Sequence, residues 1–162
     1  MTYTVSYKGY PEENPRYIDE DPLINYVKSV NNIKYIEDKV DVRYLLSEYN
    51  IVVTSGATST IGWLVMTGKP VVFINWKSHM PLTTDAKKYF KDGLFLFDGG
   101  RKNFYNDLRL FLETPRNEIQ KMWDKKSCSR DVMVKKYFTK YTDKPGERSA
   151  NIVFNFIKNY HK

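Results

Sequence analysis

Short apolar runs recur along this chain, and between most of them apolar side chains return every three or four positions. Tyr3 to Tyr7 alternates as a half-buried strand, and Lys8-Gly-Tyr-Pro11 turns the chain into a polar loop that reaches Glu20. Asp21-Pro22 then offers an N-cap followed by proline at the first helical position, which predicts a helix to about Val30. Ile33 to Ile36 is a second strand, and Asp41 to Tyr49 a helix with Val42, Leu45 and Leu46 on one side. Ile51–Thr54 and Val71–Ile74 are short continuous apolar runs, the signature of strands covered on both faces. Between them lies a helix, Ser59–Thr67, stopped by Gly68 and Pro70. A polar loop from Asn75 to Leu82 leads to a helix at about Thr84–Lys91 and a fifth strand, Leu94–Phe97, ended by Asp98-Gly-Gly100. The remainder reads as helix: Asn103–Leu112, then one long helix from Thr114-Pro115 to about Phe138. After a loop at Thr142–Gly146 a last helix, Glu147–Tyr160, is predicted to turn Ile152, Val153, Phe156 and Ile157 inward.

Strands alternating with helices predict βαβ units. The expected fold is therefore α/β, a Rossmann-like, mostly parallel sheet of about five strands flanked by helices. The whole chain, 1–162, forms one domain, with the sheet core in 1–100 and a helical C-terminal extension in 101–162. In such sheets ligands bind at the carboxyl ends of the strands, which directs attention to the turn after the third strand. That turn, Ser55, Gly56, Ala57, Thr58, Ser59 and Thr60, combines hydroxyls with the free backbone N–H groups of a helix N-terminus, a combination that suits a diphosphate. It is neither a Walker A loop nor a G-x-G-x-x-G fingerprint. The plainer reading is that its Ser and Thr residues only cap the helix.

Other candidates surround it. Lys8 and Tyr10 follow the first strand and should emerge on the same edge. His79 follows the fourth strand. Glu147, Arg148 and Ser149 open the last helix after a polar loop, where they could meet a second anionic group or simply cap the helix. Asp19-Glu20-Asp21 has the form of an Asp-x-Asp metal pattern, but three acids before a proline more often start a helix, and no metal is expected. No Ser/His/Asp or Cys/His arrangement has local support, so the catalytic residue stays unassigned.

Charge adds one asymmetry. Residues 121–162 hold eleven Lys and Arg against four Asp and Glu, so this segment carries the whole net charge of +7. A solvated helix face accounts for it, and so would a membrane surface or phosphorylated substrate. Without an arginine-rich or aromatic-interleaved groove motif, nucleic acid is not an expected partner. The single cysteine, Cys128, excludes an intrachain disulfide. The N-terminus lacks the apolar core of a signal peptide, and no apolar run approaches membrane-spanning length. A cytoplasmic protein is expected, at most peripheral to the inner face of a membrane.

The segment Ala57-Thr-Ser-Thr-Ile-Gly-Trp-Leu-Val-Met-Thr-Gly-Lys-Pro-Val-Val-Phe-Ile74 resembles the nucleotide-binding C-terminal half of GT-B glycosyltransferases and of CDP-glycerol glycerophosphotransferases. Asp41-Val-Arg-Tyr-Leu-Leu is similar to the helix before the strand, and Asp143-Lys-Pro-Gly-Glu-Arg-Ser149 to the late loop before the final helix. With Tyr7-Lys-Gly-Tyr-Pro11 and Phe95-Leu-Phe-Asp98, the whole also resembles a group of bacterial surface-carbohydrate transferases. The resemblance implies that Ser55 to Thr60 contact the donor diphosphate and that Glu37 to Asp41 lie near the base. It departs from the families at two places. Trp63 stands where many GT-B members carry a ribose-binding acid, and Gly9 and Tyr10 fill a Lys-x-x-Pro turn that often holds histidine.

The resemblance also implies a second, acceptor-binding half, supplied either by a longer protein or by a separate subunit. The expected function is the donor-binding half of a transferase moving a sugar or polyol phosphate from a nucleotide-activated donor, without metal, in cell-surface polysaccharide synthesis. The alternative is a non-catalytic nucleotide- or partner-binding module of the same fold. An epimerase-type sugar-nucleotide enzyme would need more acids and histidines around the turn than the chain supplies.

Overall fold

The computed structural model describes residues 4–9, 22–37, 40–141 and 143–160. Within them the chain is α/β, with five parallel strands and eight helices. The five strands do not form one sheet. β1 (Val5–Lys8) and β2 (Ile33–Ile36) make a two-stranded parallel sheet, joined through α1 (Pro22–Ser29). β3 (Val52–Ser55), β4 (Val71–Asn75) and β5 (Phe95–Asp98) make a three-stranded parallel sheet in the order β3-β4-β5.

Strand position explains strand composition. β4 lies between two partners and Val71, Val72 and Phe73 are completely buried, as its unbroken apolar sequence requires. β3 is an edge strand in which exposure alternates, leaving Val53 half exposed.

The helices that cover this sheet follow from local signals. α3 (Thr60–Met66) buries Ile61, Leu64 and Val65 and stops at Gly68, whose φ of 72° lies in the left-handed region that glycine enters freely. α4 (Thr84–Gly93) starts from Thr83, whose hydroxyl accepts a hydrogen bond from the Ala86 N–H at 3.2 Å. α5 (Phe104–Leu112) packs Phe111 on Phe95 and Phe97.

The long helix expected after Pro115 is broken. α6 (Arg116–Lys125) and α7 (Ser127–Tyr137) meet at Lys126, whose φ of −86° and ψ of 0° leave the helical region. The break lets both halves reach the core: α6 buries Ile119 and Trp123, and α7 buries Met133 against α4. Gly93 makes that approach possible, because a Cβ there would sit 3.1 Å from the Arg130 Cα. Cations of the basic segment hold the junction. Lys126 Nζ donates to the terminal carbonyls of α4 at Lys91 (2.8 Å) and Asp92 (3.2 Å), and burial pushes its pKa down. Arg130 stacks on the Trp123 ring at 3.8 Å, and Lys136 pairs with Asp85 of α4 at 2.6 Å. Part of the basic surplus is thus structural.

The Gly68-Lys69-Pro70 turn has a second duty. α2 (Val42–Leu45) runs into a 3-10 turn, Leu46–Glu48, where a regular helix to Tyr49 is expected. Lys69 Nζ donates to the carbonyls of Leu46, Ser47 (2.8 Å) and Tyr49, closing the carbonyl end of that element. Trp123 Nε1 donates to the Gly68 carbonyl at 2.7 Å and pins the same turn from α6.

The last helix departs most from expectation. α8 (Pro145–Tyr160) buries none of its residues, and Ile152, Val153, Phe156 and Ile157 face outward from the domain core. Its apolar stripe is real, but the structure leaves it exposed among the described residues. No helix of the described residues is long and apolar enough to cross a membrane.

Candidate functional site

The three-stranded sheet ends at its carboxyl edge in three polar residues: Ser55 on β3, Asn75 on β4 and Asp98 on β5. The Ser55–Thr60 turn leaves this edge and enters α3. Gly56 is buried with φ of 78°, a conformation that bends the chain away from the strand. The loop after β4 folds back as a tight turn in which the His79 N–H bonds the Trp76 carbonyl at 3.3 Å. This brings the His79 imidazole over the turn, where a Cβ on Gly56 would stand 3.6 Å from Nε2. Two candidates separated by more than twenty positions therefore share one site.

The hydroxyls of this turn are not spent on capping. Ser59 occupies the N-cap position in helical geometry, with φ of −56° and ψ of −26°, and makes no side-chain cap bond. Ser55, Thr58 and Ser59 are exposed, and Thr60 is half-buried. Ile61 and Gly62 donate to the carbonyls of Thr58 and Ser59 at 3.2 and 3.3 Å, so the first turn of α3 is tight. The Ser59 and Thr60 N–H groups find no backbone acceptor among the described residues. α3 has only seven residues, so its dipole is weak and oriented N–H and O–H groups supply most of the site's polarity.

The other expected contacts are placed differently. Asp41 caps α2, accepting from the Arg43 N–H at 3.0 Å and pairing with its guanidinium at 3.3 Å. Arg43 in turn stands 4.9 Å over the ring of half-exposed Trp63, which ties the start of α2 to the outer face of α3. Lys8 ends β1 in the two-stranded sheet, which shares no strand ladder with β3. Tyr10 and Asp19-Glu20-Asp21 lie outside the described residues. Glu147 pairs with Lys144 at 3.0 Å, and Arg148 pairs with Asp143 at 3.3 Å and stacks on Tyr141. Those two residues and Ser149 belong to the start of α8, none of whose residues is fully buried.

A polar network on the same sheet edge was not anticipated from the sequence. Asn75, only 5% exposed, donates from Nδ2 to Asp98 Oδ1 at 3.0 Å and accepts from the Leu82 N–H at 2.9 Å. Lys87 from α4 pairs with Asp98 Oδ2 at 2.8 Å, and Arg101 approaches it at 3.6 Å. Burial opposes the charge on Asp98, but the Lys87 ammonium and Asn75 amide together hold its carboxyl below the usual range. Beside it opens a cavity of about 260 Å³ lined by Lys87, Lys91, Phe97, Arg101, Phe104 and Asp107 among others. The signal in the sequence was an asparagine closing an otherwise apolar run, Val71–Ile74. Such a polar residue at a strand end is buried only when it has partners.

The edge thus carries an anion-suited turn beside an imidazole, with a satisfied polar network one strand away. In comparisons with protein-family models, curated proteins and solved structures, nothing matches this chain.

Proposed function

We propose that this chain is the donor-binding half of a transferase that moves a sugar or a polyol phosphate from a nucleotide-activated donor in cell-surface polysaccharide synthesis. The observation that carries this reading is the Ser55–Thr60 turn at the carboxyl edge of a parallel sheet, whose exposed hydroxyls make no capping bond and whose Gly56 lies beside His79. A donor diphosphate would accept from the Ser59 and Thr60 N–H groups and from the Ser55, Thr58 and Ser59 hydroxyls. Donors already oriented before the reaction stabilise the charge that builds on the leaving diphosphate, since they need not reorganise as it forms. His79 would add a hydrogen bond to the same phosphates or to the transferred group. The acceptor and its general base belong to a second half or subunit, in the cytoplasm or at the inner face of the membrane.

The test is a thermal-shift panel of UDP, CDP, GDP and CMP on the full chain. A diphosphate at ten times its Kd should stabilise the fold by about 1.4 kcal/mol, a rise of roughly 3–6 °C for a chain of this size. Thr58→Ala with Ser59→Ala should abolish the rise while leaving the unliganded melting point nearly unchanged. No stabilisation by any of the four at millimolar concentration would reject the donor site.

A further inference from the structure

The cavity beside Asp98 opens at β5, with β4 between it and the strand that carries the Ser55–Thr60 turn. β5 is the outer strand of its sheet. The Gly99 N–H bonds the Asn75 carbonyl at 3.0 Å, so Phe95, Phe97 and Gly99 direct their backbone groups toward β4. The backbone groups of Leu96 and Asp98 therefore face away from it. The Asp98 carbonyl accepts from the Arg101 N–H at 3.2 Å, whereas the N–H and C=O of Leu96, which lines the cavity, have no backbone partner among the described residues.

The cations of the lining are also largely unspent. Lys87 and Lys91 stand one turn apart on the same side of α4. Lys87 is committed to Asp98 at 2.8 Å, while Arg101 only approaches that carboxylate, at 3.6 Å. The Lys91 ammonium makes no ion pair or hydrogen bond among the described residues. Against these three cations the cavity sets two acids, Asp98 and Asp107, which leaves one positive charge in excess. The apolar wall is rigid. Phe104, 3% exposed, is held edge-to-face by Trp76 at 5.2 Å, and Trp76 lies so close over Gly99 that a Cβ there would overlap its ring.

Size narrows the ligand further. The cavity's volume of about 260 Å³ falls short of drug-sized pockets, which begin at roughly 300 Å³. A cavity of roughly 150 Å³ holds benzene, so by proportion this one takes a body of about ten non-hydrogen atoms.

We propose that this cavity binds a small organic anion, with its charged group on Lys91, Arg101 and the Leu96 N–H and its body against Phe104. Asp98 acts as a positioning residue that draws Lys87 and Arg101 to the same side of the cavity. A phosphate ester and a carboxylate offer these donors the same charged acceptor. The site shares no residue with the Ser55–Thr60 turn, so its failure would leave the donor-site reading untouched.

The experiment is an amide NMR titration of the full chain with glycerol phosphate and with benzoate, using glycerol and benzyl alcohol as neutral controls. At least one anion should shift the Leu96 and Arg101 amides saturably at millimolar concentration, and the tighter of the two identifies the charged group. Lys91→Gln with Arg101→Gln should weaken binding at least roughly tenfold without moving the melting point, since both side chains are exposed. Asp107→Asn should strengthen binding roughly two- to fivefold by removing an opposing carboxylate. Thr58→Ala with Ser59→Ala should leave it unchanged. No saturable shift at Leu96 with either anion overturns the proposal, as do shifts confined to the Ser55–Thr60 turn. So does an equal response to the neutral controls, binding that survives the paired Lys91 and Arg101 substitutions, or weaker binding by Asp107→Asn.

Discussion

Lys69→Met separates a structural lysine from a ligand-binding one. The Lys69 ammonium donates to three carbonyls, those of Leu46, Ser47 and Tyr49, at the end of α2 and its 3-10 turn. Hydrogen bonds to a charged group are worth about 1.5–3 kcal/mol each when taken singly. One ammonium shared by three acceptors does not deliver the sum, and exposed Ser47 lets water reach its carbonyl in the variant. A net loss of about 2–3 kcal/mol is therefore expected, with the methionine side chain retaining most of the stem's packing. For a chain of this length that lowers the melting temperature by about 4–12 °C. Differential scanning calorimetry supplies the number, and a nucleotide titration at a temperature where the variant is folded supplies the contrast. If Lys69 is a cap, stability falls and nucleotide affinity holds. A melting point within 1–2 °C of wild type, combined with lost nucleotide binding, would refute the reasoning and move Lys69 into the phosphate site.

Other outcomes follow from packing and charge. Trp123→Phe removes the indole donor to the Gly68 carbonyl and leaves space in a fully buried site, so it should cost about 1–3 kcal/mol by urea unfolding. Gly93→Ala should cost a similar amount by forcing α4 and α7 apart, with Gly100→Ala, whose Cβ would meet open space, as the near-neutral control. The folded-state pKa of Asp98 lies below its unfolded value, so its contribution is present above about pH 4 and lost as pH falls through the folded value. Asp98→Asn should therefore melt below the wild type at pH 6, with the gap closing as melting curves are taken down to pH 3. Gly56→Val places a β-branched residue at positive φ under His79 and should weaken diphosphate binding along with stability, read together in the thermal-shift panel.

Much of the fold is legible in local chemistry. Ile33–Ile36 is a strand as its apolar run indicates, and the Ser55–Gly68 segment turns, coils and stops where its hydroxyls and glycines direct. Periodicity and turn chemistry act over a few residues, so they survive without knowledge of the rest. Of the candidate site, the turn was legible and so was the place of His79 after the fourth strand. Their contact was not, because it depends on how the loop after β4 folds back on Gly56. Asp41 caps α2 by accepting from the Arg43 N–H two residues on, a local bond that neither requires nor excludes a place near the base.

What the amino-acid order determined alone is the succession of parallel strands and helices and the polarity of one turn. Tertiary structure decided the rest, through interactions that span long stretches of chain. Lys69 reaches back about twenty residues to close the end of α2, and Trp123 reaches fifty-five residues to hold Gly68. The five strands fall into two sheets: β3 pairs with β4, and no described strand pairs with its other edge. α8 illustrates the limit most clearly. Its amphipathic period states that one face must be covered, and a period alone cannot state by what. Among the described residues the domain leaves that face exposed.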